Sequence, residues 1–514
     1  MTINRFFIAV LLIFTTALTY AQESAIKKII EMHHSDNQCM HHLDILSNRF
    51  GGRMAGSDAY NNAVEWAARE FKKWGYEVTI EEAGSVPVGY NRGPWSGKLL
   101  AENGMTLNFT TPSWTSGTKG LQRGHVVVEP KTRDQFNRMK GHLKGAWVLI
   151  SGKNTGFAID WSDKADSVRA SVIAYNDSIG KINNEIRANN RRNKTNDTLL
   201  TLRDEPALFY KEMREAGILG IIQASAVPIR TLYDRKVVKD TTMTFDALPT
   251  TCDIKLDEHQ YEIIRQMAIE RRSFMLEFDI RNFFKLGPVK YHSVVATMKG
   301  TQKPDEYVMV SGHLDALDIA TGGVDCGNGV SVTMEAARMI ALSGAKPKRS
   351  MQFVLFAAEE LGLLGAFAYT KTHPERLPKI SNLFNRDGGP LATVGVTVPP
   401  VVYEDFVKIC EPVKQIDPEY PFTVTKGEPY VKPTQAGGQD ATVFAMQGVP
   451  TVAFNQEDFK GYNFDYNEIW HTERDLYNKA IPEYQNFSAT VTAIVALGVA
   501  NLKESLNRPG FFKE

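Results

Sequence analysis

The sequence predicts an α/β fold, a mostly parallel mixed sheet flanked by helices, with a β-rich segment of different texture set into it. After Pro288, short apolar runs such as Tyr307–Gly312, Gln352–Phe356 and Ile380–Phe384 alternate with stretches of helical spacing. That is the rhythm of strands joined by crossover helices. The segment 56–80 has the same character near the start of the chain. Between about Gly93 and Pro288, strands are instead separated by long polar stretches. At 514 residues the chain is expected to hold two or three domains. The division predicted is 1–21 as a leader, 22–92 with 289–514 as one discontinuous domain, and 93–288 as an insert.

The first 21 residues have the pattern of an export signal. Arg5 supplies the positive start, Phe6–Leu18 the apolar run, and Thr19 and Ala21 the small residues for cleavage before Gln22. The expected location is therefore periplasmic or extracellular, an uncleaved anchor being the alternative. No other stretch of about 20 apolar residues occurs, so no stable membrane insertion is expected after cleavage.

Ser57 or Asp58 caps a helix on which Ala63, Trp66, Ala67 and Phe71 recur at helical spacing. Gly75 ends it and Tyr76–Ile80 is a strand. In the middle segment Trp147–Ile150 and Ile218–Ile222 are strands, and the Lys-, Arg- and Asn-rich run Lys181–Asp197 is a solvated helix or surface insertion. Beyond Pro288 come strands Tyr291–Met298 and Tyr307–Gly312, a helix Asn328–Leu342, a strand Gln352–Phe356 and a helix Leu364–Thr372. A strand Pro450–Phe454 and a long amphipathic helix Ile481–Leu502 close the chain. His33, His34, His41 and His42 form two pairs expected on a helical surface.

Lys+Arg and Asp+Glu both total 59. A neutral chain argues against a strong electrostatic hold on nucleic acid or acidic lipid. Four cysteines, Cys39, Cys252, Cys326 and Cys410, are too few for a disulfide scaffold, and one bridge at most is open.

The chemistry is signalled by where acids and histidines fall relative to strands. In open α/β sheets sites form at the carboxyl ends of strands. One strand runs out into His313-Leu-Asp315, the next into Ala357-Ala-Glu359-Glu360, and the third into Asn385-Arg-Asp387-Gly-Gly. Asp325 lies in the glycine-rich turn Gly322–Gly329 just before a helix. Singly these are ordinary loop residues. Adjacent carboxylates at a strand end, however, repel one another and raise one pKa unless a cation is present. A divalent metal would neutralise one and leave its neighbour as a base.

The set His313-x-Asp315, Asp325, Glu359-Glu360-x-Gly362-Leu-x-Gly365-Ala366, Asp387 and His471-Thr472-x-x-Asp475 resembles the co-catalytic dizinc exopeptidases. That group includes secreted leucyl aminopeptidases, glutamate carboxypeptidase II and carboxypeptidase Q, whose spacing is nearest. The likeness begins at Phe50-Gly-Gly-Arg-Met-Ala-Gly-Ser57, which looks like the family's opening loop. It implies the zinc exopeptidase fold, two Zn²⁺ ions (Mn²⁺ or Co²⁺ as substitutes) and peptide or dipeptide substrates. It also implies roles: Asp325 bridging, His313 and Asp387 on one ion, Glu360 and His471 on the other. Glu359 would be the base that takes the proton of metal-bound water, and Asp315 would orient His313. The middle segment resembles the family's protease-associated insert through Gly145–Ile150 and Glu215–Ile222. Gly438-Gln-Asp-Ala-Thr-Val-Phe444 resembles its substrate-side loop, where Asp440 either binds substrate or orders the loop.

The chain departs from the family at Cys326, where many relatives carry a second Asp. A thiol there either packs without ligating or meets the metal. Two other readings are open to such a chain: a single-zinc glutaminyl cyclase and a non-catalytic receptor module. The full Glu359–Gly365 motif opposes the first, and the complete ligand set opposes the second. Which peptide terminus is attacked, side-chain preference and oligomeric state (a homodimer included) stay open.

Overall fold

The computed structural model describes residues 22–513, so the predicted export signal lies outside the described residues. The chain forms two compact units. One comprises residues up to Ser85, Lys290–Trp470 and Arg474 onward, and the other Val86–Val289 with His471–Glu473. None of the described helices is long and apolar enough to cross a membrane.

The first unit is built on a five-stranded sheet, ordered Glu77–Val86, Val289–Met298, Arg349–Phe356, Lys303–His313, Ile380–Asn385. Lys303–His313 runs parallel to both neighbours, and Val289–Met298 is antiparallel to Arg349–Phe356. Arg349–Phe356 is buried throughout, as its unbroken apolar core Phe353–Phe356 requires of a strand covered on both faces. On one face Met309, Val354, Phe356 and Leu383 pack with Tyr369, Val443 and Phe444. Helices Gly327–Leu342 and Pro482–Asn501 pack against each other and against the same strands. A second sheet centres on Ala392–Val398, with Thr423–Lys426 parallel and Phe454–Glu457 antiparallel. Helix Asp58–Lys73 begins as predicted, with the Ser57 hydroxyl accepting from Tyr60 N.

Three expectations need correction. The strand expected at Pro450–Phe454 lies further on, at Phe454–Glu457. Pro450–Val452 instead pairs sideways: Pro450 O accepts from Leu383 N, and Val452 exchanges bonds with the Asn382 side chain. The last helix is not amphipathic, because every residue from Phe487 to Ala500 is buried. Its polar positions face protein rather than water. Ser488 Oγ accepts from Thr393 N and Thr492 Oγ donates to Ser488 O, while Gly498 admits Ile409, whose Cβ would stand 2.8 Å from an added Cβ. His42 is buried, not on the surface, with Nε2 3.2 Å from Glu335, which also pairs with Arg338.

The second unit carries an eight-stranded sheet whose four central strands, Gln122–Val128, Ala146–Ile150, Gly220–Ser225 and Cys252–Asp257, run parallel. Trp147 and Leu149 enter one core while Val148 and Ile150 enter the other, the two-residue alternation of a strand. The basic run closes a 31-residue helix, Asp163–Asn193, whose end is exposed. Two buried asparagines pin the returning chain. Asn176 bonds Arg203 N and O, and Asn183 bonds Leu200 N and O.

Because the Pro482–Asn501 helix has no wet face, Glu placed singly at Val491, Thr492, Ala493 and Ile494 is expected to abolish soluble folded protein at all four positions. An unpaired buried carboxylate costs several kcal/mol. Soluble, cooperatively unfolding protein from any one of them would restore an amphipathic helix.

Candidate metal centre

The strand register builds the site. His313 pairs with Phe356 and Ser311 with Asn385, so three parallel strands end level with one another. The residues that follow, Asp315, Glu359, Glu360 and Asp387, therefore emerge along one sheet edge. Strand alternation turns His313 inward, and its ring is buried.

His313 Nδ1 lies 3.0 Å from Asp315 O and 3.5 Å from the Asp315 carboxylate, which leaves Nε2 facing the opposite way. Nε2 stands 3.2 Å from Asp325 Oδ1 and 3.7 Å from Asp387 Oδ1. Ligand atoms sharing a tetrahedral ion at bonds of about 2.0–2.2 Å are about 3.3–3.6 Å apart. Both separations from Nε2 are thus close to the spacing of a coordination shell. A carboxylate oxygen of Glu360 lies within 4.8 Å of one of Asp325.

Asp315 does more than orient His313. Its Oδ1 accepts from Glu359 N and its Oδ2 from Glu360 N, each at 3.1 Å. One buried residue therefore ties the imidazole, through its main-chain carbonyl, to the glutamate pair, through its carboxylate. The Asp325 loop is held from two sides. Asp475 accepts from Val324 N (2.7 Å) and from Asp325 N, while its carbonyl receives Thr321 N and Gly323 N. Arg53, fully buried, donates to the carbonyls of Leu314, Leu46, Gly51, Thr321 and Gly322. Gly322 has φ +58°, and a Cβ there would meet Ala316 Cβ at 2.3 Å and the Arg53 guanidinium at 3.0 Å.

Sequence reasoning did not find Arg53 or Asp475 as supports. For Arg53 the available signal is a charged residue among glycine and apolar neighbours; Asp475, which follows Glu473 and Arg474, carries no such signal. Cys326 is buried, its thiol donating to Arg386 O at 3.2 Å. All four cysteines are free. Asp440 is buried at the start of helix Ala441–Met446, and neither carboxylate oxygen has a hydrogen-bond partner. His471 lies in the three-residue segment of the second unit, where its carbonyl accepts from Thr231 N and Nδ1 is 3.2 Å from Arg230 Nη2.

The electrostatics call for a cation. Burial pushes Glu359 up to about 10, with Glu360, Asp387 and Asp440 adding to the rise against the pull of His313. Burial likewise raises Asp387 and Asp440, and lifts Asp475 to about 8. The buried cations Arg53 and Arg386 direct their bonds to backbone carbonyls and Thr393. A divalent ion among imidazole and carboxylate donors fits this donor set. Beside Asp387 opens a cavity of about 390 Å³ bordered by Gly389, Leu391, Phe464, Tyr466 and Trp470.

Residues 293–495 match the model of peptidase family M28. Carboxypeptidase Q of Xenopus laevis is 28% identical over 483 residues, 92% of this chain and 88% of that protein. The match to mammalian carboxypeptidases Q spans about half of their length, 52% for that of Rattus norvegicus, at 28% identity and covering 51% of this chain. Among solved structures, a peptidase M28 precursor from Shewanella amazonensis SB2B superposes with a TM-score of 0.58 at 22% identity, over 96% of this chain and 99% of that one. BSAP, a zinc aminopeptidase from Bacillus subtilis, gives 0.50 at 17% identity, over 89% and 94%.

The raised carboxyls fix a sign for pH dependence. Folded, Glu359 keeps its proton to about pH 10; unfolded, it releases it near 4.5, so between these values the unfolded chain binds fewer protons. Stability of the metal-free protein should fall as pH rises through that window, with Asp475 contributing up to about 8. Thermal unfolding with chelator should show this decline and saturating Zn²⁺ should flatten it. A flat profile in chelator would count against a cation-requiring cluster.

Proposed function

From the match of residues 293–495 to the peptidase family M28 model and the likeness to carboxypeptidase Q, we propose that the chain is an exported dizinc exopeptidase of that family, acting on short peptides or dipeptides. The observation that carries this reading is His313 Nε2 facing Asp325 and Asp387 at coordination spacing, on an edge where Asp315 also holds Glu359 and Glu360. Asp325 would be shared between two ions, with His313 and Asp387 holding one and Glu360 and His471 the other. Zn²⁺ suits two imidazoles with carboxylates, and Mn²⁺ or Co²⁺ would substitute. When bound, the ions supply Lewis acidity to the scissile carbonyl and to water.

The chain's own residues do the rest. Glu359, next to the ligand Glu360 but not itself a ligand, takes the proton of the attacking water and delivers it to the leaving amine. Its buried surroundings favour holding that proton between the two transfers. Asp315 fixes the angle of His313 and the backbone of both glutamates, so it acts by positioning. The cavity beside Asp387 receives an apolar substrate side chain between Leu391, Phe464 and Tyr466. Segment 1–21 as export signal, a periplasmic or extracellular location, and residues 93–288 as a protease-associated insert belong to the same proposal. The parallel pair Ala146–Ile150 and Gly220–Ser225 supports the last of these.

The first measurement is elemental analysis of the purified protein, with mass spectrometry of products from a dipeptide and tripeptide pool. About two zinc per chain and release of single residues are expected. One zinc with only ammonia lost from glutaminyl peptides would move the reading to a cyclase. Glu359→Gln should lower kcat by about 10²–10⁴-fold with metal content unchanged, whereas Asp325→Ala loses metal as well. Metal loss in Glu359→Gln with Glu360→Gln intact would reverse the pair. Peptides presenting Leu or Phe to the cavity should exceed their Gly counterparts in kcat/KM by about 10–200-fold. Equal rates would remove the cavity from the binding site.

A further inference from the structure

Cys326 follows the proposed bridging aspartate directly. Its Sγ, a ring nitrogen of His313 and a carboxylate oxygen of Asp387 all lie within 4.8 Å of one another. The thiol is fully buried, and its hydrogen-bond acceptor is the carbonyl of Arg386, the residue before Asp387. It is held on this side by the helix behind it. A Cβ at Gly329 would stand 2.5 Å from Sγ and 2.1 Å from Arg386 O, so only glycine lets the first turn of Gly327–Leu342 close over the sulfur. An ion bound by His313 and Asp387 at about 2.0–2.2 Å would need Sγ at about 2.3 Å to count it a ligand. Sulfur and the nitrogen or oxygen atoms would then be about 3.5 Å apart, against a present ceiling of 4.8 Å.

We propose that Cys326 ligates, through Sγ, the ion held by His313 and Asp387, giving this centre a mixed nitrogen, oxygen and sulfur donor set. The inference rests on the reading of His313 and Asp387 as metal ligands. On binding, a sulfur–metal bond forms, the thiol proton leaves to solvent, and sulfur keeps its oxidation state. A thiolate is a softer donor than the carboxylate common at this position in relatives. It tilts selection toward Zn²⁺ and Co²⁺ and away from Mn²⁺ and Mg²⁺. Asp440 adds a buried carboxyl with no hydrogen-bond partner, electrostatically coupled to the same His313–Asp387 pair.

Cobalt decides the matter, since a thiolate bound to Co²⁺ gives an intense near-ultraviolet charge-transfer band that nitrogen and oxygen ligands do not. The full chain is stripped with chelator and loaded with Co²⁺, cobalt content being measured directly. The wild type should show the band, and Cys326→Ser and Cys326→Ala should lose it while still binding cobalt. Cys326→Asp should narrow the preference for Zn²⁺ over Mn²⁺ by at least about tenfold in competition. Should the Cys326 variants not fold, a Cys39→Ser, Cys252→Ser, Cys410→Ser chain that keeps the band assigns it to Cys326, and one that loses it overturns the proposal. Cobalt uptake with visible bands alone, or a band that survives both Cys326 variants, overturns it too. No cobalt uptake, together with no hydrolysis of any peptide, removes the metal-centre reading and this inference with it.

Discussion

Asp315 is buried with a hydrogen-bond donor at each carboxylate oxygen: Glu359 N on one and Glu360 N on the other, while its main-chain carbonyl faces His313 Nδ1. The rest of the site depends on that arrangement. A carboxylate that accepts a backbone bond at each oxygen is held against rotation. It therefore transmits the position of one strand end to the next, and the imidazole and both glutamates become a single rigid group. The parallel register supplies coarse alignment to within a residue, and Asp315 supplies the remaining ångström.

Around that anchor the protein concentrates negative charge. Asp325, Asp387, Asp440, Asp475 and the glutamate pair are drawn to one edge, and burial opposes the ionisation of most of them. A core designed only for stability would exclude such a cluster or pair each member with an arginine. Here Arg53 and Arg386 direct their hydrogen bonds to carbonyls instead, bracing the loops, and Arg53 reaches Asp475 only through its field. That arrangement leaves room for an external cation, in keeping with the proposed metal centre.

Much of this was legible in the residues. Helix Leu364–Thr372 begins and ends where its spacing says, and the strands before His313, Glu359 and Asp387 were plain as apolar runs ending in acids. What escaped shares a physical cause: it depends on partners distant in sequence. The Pro482–Asn501 helix carries Ser488, Thr490 and Thr492, which mimic a wet face until Thr393 and the helix's own carbonyls are seen to satisfy them. His42 looked like a surface histidine because Glu335 is 293 residues away. Arg53 is bound only to main-chain oxygens, which carry no side-chain signature.

The Arg53 clamp also bears on how the chain is made. Its guanidinium needs Thr321 O and Gly322 O, which are synthesised 268 and 269 residues later. At about 5–20 residues per second, roughly 13–54 s separate the appearance of the cation from that of its acceptors. Until then the opening helices can form locally but cannot close on their loop, and Arg53 has only the nearby carbonyls of Leu46 and Gly51 among its eventual partners. The intervening residues Val86–Val289 have their own cores and can mature first. Assembly of the site is thus a late, long-range event, and a ribosome-bound or truncated chain ending before Gly322 holds an N-terminal segment with no completed place to go.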